Sequence, residues 1–65
     1  MSLLTPREAQ VLQSVSYGLT NAEIAKQLML SRYTVKQHLD RISKKTGATG
    51  RAGLVGWGFR EGVLR

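Results

Sequence analysis

The stretch SRYTVKQHLDRISKKT, Ser31 to Thr46, divides its side chains between two chemistries with helical regularity. At about 100° per residue, Val35, Leu39 and Ile42 fall on one stripe of a helix, while Lys36, Gln37, Asp40, Arg41 and Lys44 fall on the stripe opposite. The first stripe can be buried, and the second offers donors and positive charge to a polyanion. A basic helix face is often no more than a solvated surface, so the meaning of this one depends on what precedes it.

Just upstream, Thr20-Asn21-Ala22-Glu23 reads as a capping box, in which a hydroxyl and a carboxylate each satisfy a backbone N–H that has no partner inside the helix. Leu19 and Ile24 form the accompanying hydrophobic staple. The pattern predicts a short helix, Asn21 to Leu28, with Ile24, Ala25 and Leu28 inward. Ser31 caps the next helix, with Leu30 and Val35 as its staple. A link of roughly three residues makes two helices cross steeply, the geometry of a helix-turn-helix whose second member enters the DNA major groove. The turn Met29-Leu30-Ser31 lacks the glycine often found there, and an ordinary helical hairpin would share the local pattern.

The same grammar opens the chain. Thr5-Pro6-Arg7-Glu8 combines a cap, a proline at the first helical position and a glutamate at the third, so a helix should run from Pro6 to about Tyr17 and stop at Gly18. Ala9, Val11, Leu12 and Val15 are its apolar positions. Gly47 ends the Ser31 helix, and Thr49 or Gly50 can cap a fourth, from about Arg51 to Arg60. Gly53, Gly56 and Gly58 each cost that helix about 0.8–1.0 kcal/mol relative to alanine, so packing must hold it. Leu54, Val55 and Gly58 share its inward stripe, leaving Gly56 and Trp57 towards the outside.

Composition narrows the class. A chain of 65 residues forms one domain, and at that size it buries only about 60% of the surface its unfolded form exposes. The absence of cysteine excludes a disulfide framework and a thiolate metal site. No apolar run approaches the roughly 20 residues of a bilayer span. From Arg32 to Arg51, six basic residues face the single acid Asp40, so this third of the chain holds +5 of the formal +6. Charge concentrated in this way favours a phosphate-bearing or anionic-membrane partner, and its sign alone does not choose between them.

The residues also carry a resemblance. Leu4-Thr5-Pro6-Arg7-Glu8 with Val11-Leu12, then Gly18-Leu19-Thr20-Asn21 with Glu23-Ile24-Ala25, Leu28, Leu30-Ser31, Thr34-Val35-Lys36, His38-Leu39 and Ile42 together resemble the LuxR/GerE-type helix-turn-helix domain, also the effector half of NarL/FixJ response regulators. The similarity extends from Leu4 to about Leu64. It implies an all-α, four-helix bundle containing a helix-turn-helix and no wing. Residues 1–4 would be an N-terminal tail or linker remnant and residues 5–65 the DNA-binding domain, with a recognition helix at about 32–46 and a dimerisation helix at about 51–60. The implied protein is a bacterial transcription regulator, cytoplasmic and nucleoid-associated, that binds double-stranded DNA as a two-fold dimer.

Carried over by position, the base-reading sites fall on Lys36, Gln37, Asp40 and Arg41. Backbone contacts fall on Thr20, Asn21 and Thr34, with Arg32, Tyr33, Lys44 and Lys45 beside them. The dimer contact falls on Gly53, Gly56, Trp57 and Arg60, although Trp57 could instead fold over the intramolecular core. Chemistry agrees with the roles: Arg41 and Lys36 can donate to guanine O6 and N7, and Gln37 can pair with adenine N6 and N7. Asp40 departs from the basic or neutral residue common there. It must either accept from a cytosine N4 or orient Arg41 or Lys36. Thr20 is a cap first and a phosphate contact in addition, and His38 can either pack or meet a phosphate.

An enzyme lacks its parts here: there is no Gly-x-Ser-x-Gly elbow, no phosphate-binding Gly-Lys-Ser/Thr motif and no cysteine nucleophile. With one histidine and four scattered acids, neither a metal nor a cofactor is expected. The competing reading is a small basic helical module that binds RNA or a partner protein. A receiver or sensor domain, if the protein has one, would lie N-terminal to this segment.

Overall fold

The computed structural model describes residues 3–65. Four helices follow one another: α1 (Pro6–Ser16), α2 (Asn21–Leu28), α3 (Arg32–Thr46) and α4 (Gly50–Arg60), with no strand among the described residues. The all-α, four-helix reading of the sequence is what the structure has. Both capping boxes are closed. Thr5 and Glu8 exchange bonds of 2.9 and 3.1 Å, Thr20 and Glu23 do the same, and the Thr34 N–H donates to Ser31 Oγ at 3.0 Å.

Between α2 and α3 the chain reverses at Met29, which adopts left-handed φ +58° although it is not a glycine. A β-carbon makes that conformation costly by about 1–2 kcal/mol. The tight turn is kept because Leu30 N–H bonds back to the Ala25 carbonyl at 2.8 Å and because α2 and α3 pack directly on each other.

The core has two connected parts. Val11, Val15, Ile24, Ala25 and Val35 join α1, α2 and α3; Leu4, Leu12, Ile42, Leu54 and Leu64 join α1, α3, α4 and the chain ends. Leu39 and Val55 are only partly buried, yet each packs against both. Leu4 corrects the expected boundary: it is 3% exposed and part of the core, not of a tail. Met1 and Ser2 of that tail lie outside the described residues. Leu64, to which the sequence reading gave no role, closes the same cluster. The Leu64 side chain lies over Gly58, where an added β-carbon would stand 2.6 Å from its Cγ and Cδ1.

Candidate nucleic-acid interface

α3 is clamped on one side only. Val35 and Ile42 are fully buried, whereas Lys36, Asp40, Arg41 and Lys44 are exposed. With Tyr33 and Gln37 these four line one shallow surface groove along the helix. All four expected base-reading residues therefore share one open face, with Tyr33, 69% exposed, standing at its edge. A 15-residue helix is about 22 Å long, and an α-helix fits the roughly 12 Å width of the major groove. The Asp40 carboxylate makes no hydrogen bond or ion pair among the described residues, so of its two alternatives the pairing to Arg41 or Lys36 is not formed here.

Lys45 has a partner from α1 that the sequence reading did not name. Its Nζ lies 2.6 Å from Glu8 Oε1, and Glu8 is 3% exposed. Burial pushes the Glu8 carboxyl up, but the hydrogen bond from Lys45, the Thr5 N–H and the Lys45 charge outweigh it and hold the group below the usual carboxylate range. The Lys45 side chain, still 35% exposed, thus ties α3 to α1. Glu8 is more than a helix cap. Lys44, one residue earlier, is exposed on the groove.

The start of α2 lies beside α4. Asn21 is half-buried, and its Oδ1 accepts from Arg51 Nη1 at 3.0 Å. Arg51 Nη2 donates to the Leu19 carbonyl. Sequence reasoning counted Arg51 as charge and gave it no role, since both its partners lie some thirty residues earlier. Arg32 and Thr20 are exposed, and Thr34 is half-buried against the Ser31 cap. His38 is half-buried, its Nδ1 enclosed and without a hydrogen-bond partner among the described residues.

On α4, Gly53 and Gly56 are half-exposed, and Arg60 extends over Gly56, its Nη1 3.2 Å from where a β-carbon would be. Trp57 is not free: it packs against the Leu12–Leu54 cluster and lines a surface pocket with Leu3, Ala9, Thr46 and Val63. The exposed aromatic of α4 is Phe59, at 55%, which the sequence reading did not single out.

No group of three or more potential metal ligands occurs among the described residues. No helix of the described residues is long and apolar enough to cross a membrane.

Known proteins share this arrangement. The family model of bacterial regulatory proteins of the luxR family, GerE, matches residues 2–57. The transcriptional regulatory protein YxjL of Bacillus subtilis is 43% identical over 61 residues, 94% of this chain and 28% of that protein. The response regulator Rre1 of Synechocystis is 44% identical over 59 residues, 91% of this chain and 26% of its own. The chain thus spans about a quarter of the length of these relatives. Among solved structures, the transcription factor GerE superposes with a TM-score of 0.94 at 32% identity, over 100% of this chain and 97% of that one. The response regulator ChrA of a heme-sensing two-component system gives 0.91 at 32% identity, over 97% of this chain and 31% of its own. With four helices, a one-sided basic third helix and a family match over most of its length, the chain belongs to the luxR family of bacterial regulatory proteins.

Proposed function

We propose that this domain reads a specific DNA sequence by placing α3 in the major groove, with Lys36, Gln37, Asp40 and Arg41 towards base edges. The observation that carries the reading is the division of α3: two side chains sealed in the core, and a cationic groove on the reverse side. Arg41 supplies a two-pronged donor for guanine, Gln37 a donor–acceptor pair for adenine, and Asp40, its carboxylate unpaired among the described residues, an acceptor for a cytosine amino group. Thr20, Asn21, Arg32, Tyr33, Thr34 and Lys44 set the register on the phosphates without reading sequence. Lys45, engaged by Glu8, is left out of this set.

Two domains would bind together through α4, around Gly53, Gly56 and Arg60 with the outer edge of Trp57, on half-sites about 10 bp apart. Relatives about four times longer, one of them named a response regulator, support an additional N-terminal receiver or sensor domain in the whole protein.

Selection of bound duplexes from a random pool, followed by affinity measurements over a salt series, tests the reading. Arg41→Ala should relax preference at one base position by about 1–3 kcal/mol, whereas Lys44→Ala should weaken all duplexes alike and lower the salt slope by about one unit. Identical behaviour of the two variants, or tighter binding to RNA than to any duplex, would count against it.

A further inference from the structure

Among the described residues α2 and α4 do not pack on one another, and each instead rests on α1 and α3. One side chain bridges them. Arg51, in the first turn of α4, donates to the Asn21 carboxamide oxygen and to the Leu19 carbonyl, so both its acceptors sit where α2 begins. We propose that Arg51 is a positioning residue for DNA docking: it fixes the angle between α4 and the helix-turn-helix and holds the Asn21 side chain in one orientation. The inference rests on the DNA-binding reading above.

The guanidinium makes this possible because it is planar and carries its donors in a rigid fork. Two acceptors engaged by one fork define a direction as well as a distance, which a lysine ammonium at the same place would not. The consequence for Asn21 is chemical. With its oxygen held by Arg51, the carboxamide keeps its NH2 group as the free end. That is the polarity a phosphate oxygen accepts from, and the flipped amide would present an oxygen to it. Because α2 packs on α3, an orientation set at the start of α2 passes to the reading helix.

The bridge adds little to the fold itself. α2 has its own closed capping box, at 2.9 and 3.1 Å, and is anchored by the buried Ile24 and Ala25. Arg51 is exposed, and its bonds are made at the surface. Losing it should therefore leave the domain folded and misplace its docking elements, the separation expected of a positioning residue.

The test compares Arg51→Lys, Arg51→Gln and Asn21→Ala in the 65-residue chain. Each is titrated with a selected duplex and a scrambled one over a salt series, alongside thermal melting. All three should melt within about 5 °C of the parent. Arg51→Lys keeps the charge, yet it should lose about 5–10-fold on the selected duplex, as Arg51→Gln does, because each lacks the two oriented hydrogen bonds. It should retain the parent's salt slope, and because the Asn21 amide faces phosphate rather than a base, part of the loss should appear on the scrambled duplex as well. Combining Arg51→Gln with Asn21→Ala should cost no more than the worse single change.

Parent-like binding by Arg51→Lys would reduce the residue to a point charge and overturn the proposal. So would fully additive losses in the double variant, or a melting drop above about 10 °C in both Arg51 variants. If the parent chain prefers no duplex, the DNA-binding reading fails and the inference falls with it. Parent binding with silent Arg51 variants removes the inference alone.

Discussion

α3 and α4 pack on each other and on α1, yet they are held by different means. α3 has a bonded serine cap, two fully buried β-branched side chains and a left-handed glycine at its end. α4 has a threonine at its cap that makes no side-chain bond, glycines at positions 50, 53, 56 and 58, and only Leu54 and Gly58 buried. The first helix is specified mostly by its own sequence, and the second mostly by what it rests against. Anchoring by a few inward side chains is what leaves the other side of α3 open for charge. Close fit at Gly58 is what lets a poor helix former remain a helix.

Four measurements would sharpen or break this contrast. Ile42→Ala should have the largest effect, a loss of about 2–5 kcal/mol from a fully buried aliphatic side chain; in a domain of this size, melting should fall by at least about 8 °C. A small shift would mean that α3 does not depend on its inward stripe.

Gly58→Ala comes next. The new β-carbon would meet Leu64 at 2.6 Å and Leu12 Cδ2 at 3.2 Å. Overpacking of about 1–3 kcal/mol outweighs the helix-propensity gain of about 0.8–1.0 kcal/mol, leaving a net loss of about 1 kcal/mol. Paired with Leu64→Ala, the two losses should be less than additive. Stabilisation by Gly58→Ala would show that close fit is not what holds α4.

Gly53→Ala should act with the opposite sign. The nearest atom to its added methyl is Ala48 Cβ at 4.0 Å, and its φ is not left-handed. The isolated domain should gain up to about 0.8–1.0 kcal/mol in denaturant unfolding. If α4 meets a second copy closely, the same variant should weaken association, as sedimentation would record.

The smallest effect concerns the tie between α3 and α1. Since the Glu8 carboxyl is held below its ordinary value of 4.5, the pair contributes stability above that pH and loses it as pH falls through the lowered value. Glu8→Gln should cost about 1 kcal/mol or less at pH 7, because the Lys45 side chain is 35% exposed and screened. It should also flatten the acid limb of the stability profile below about pH 4.5. An unchanged acid limb would remove the ion pair from the account of how α3 is held.

Much of the interface was legible in the chain because its signals are short-ranged. Thr5, Thr20 and Ser31 announce helix starts through bonds to residues three positions on, and the period of 3.6 alone sorts Val35 and Ile42 from Lys36, Asp40 and Arg41. The α4 region was legible in outline only. Its glycines announced dependence on packing, while Trp57 could be placed on either side, and Phe59 and Leu64 passed unnoticed.

By itself the sequence determined where the helices begin, that the third has one apolar and one cationic side, and which family grammar the chain follows. Tertiary structure alone decided that Lys45 belongs to Glu8, that Arg51 belongs to Leu19 and Asn21, and that Leu4 and Leu64 close the core. The physical reason is reach. A cap or a helical stripe is settled within a turn or two, but these partners lie 37, 32 and 30 residues apart and meet only when the helices have packed.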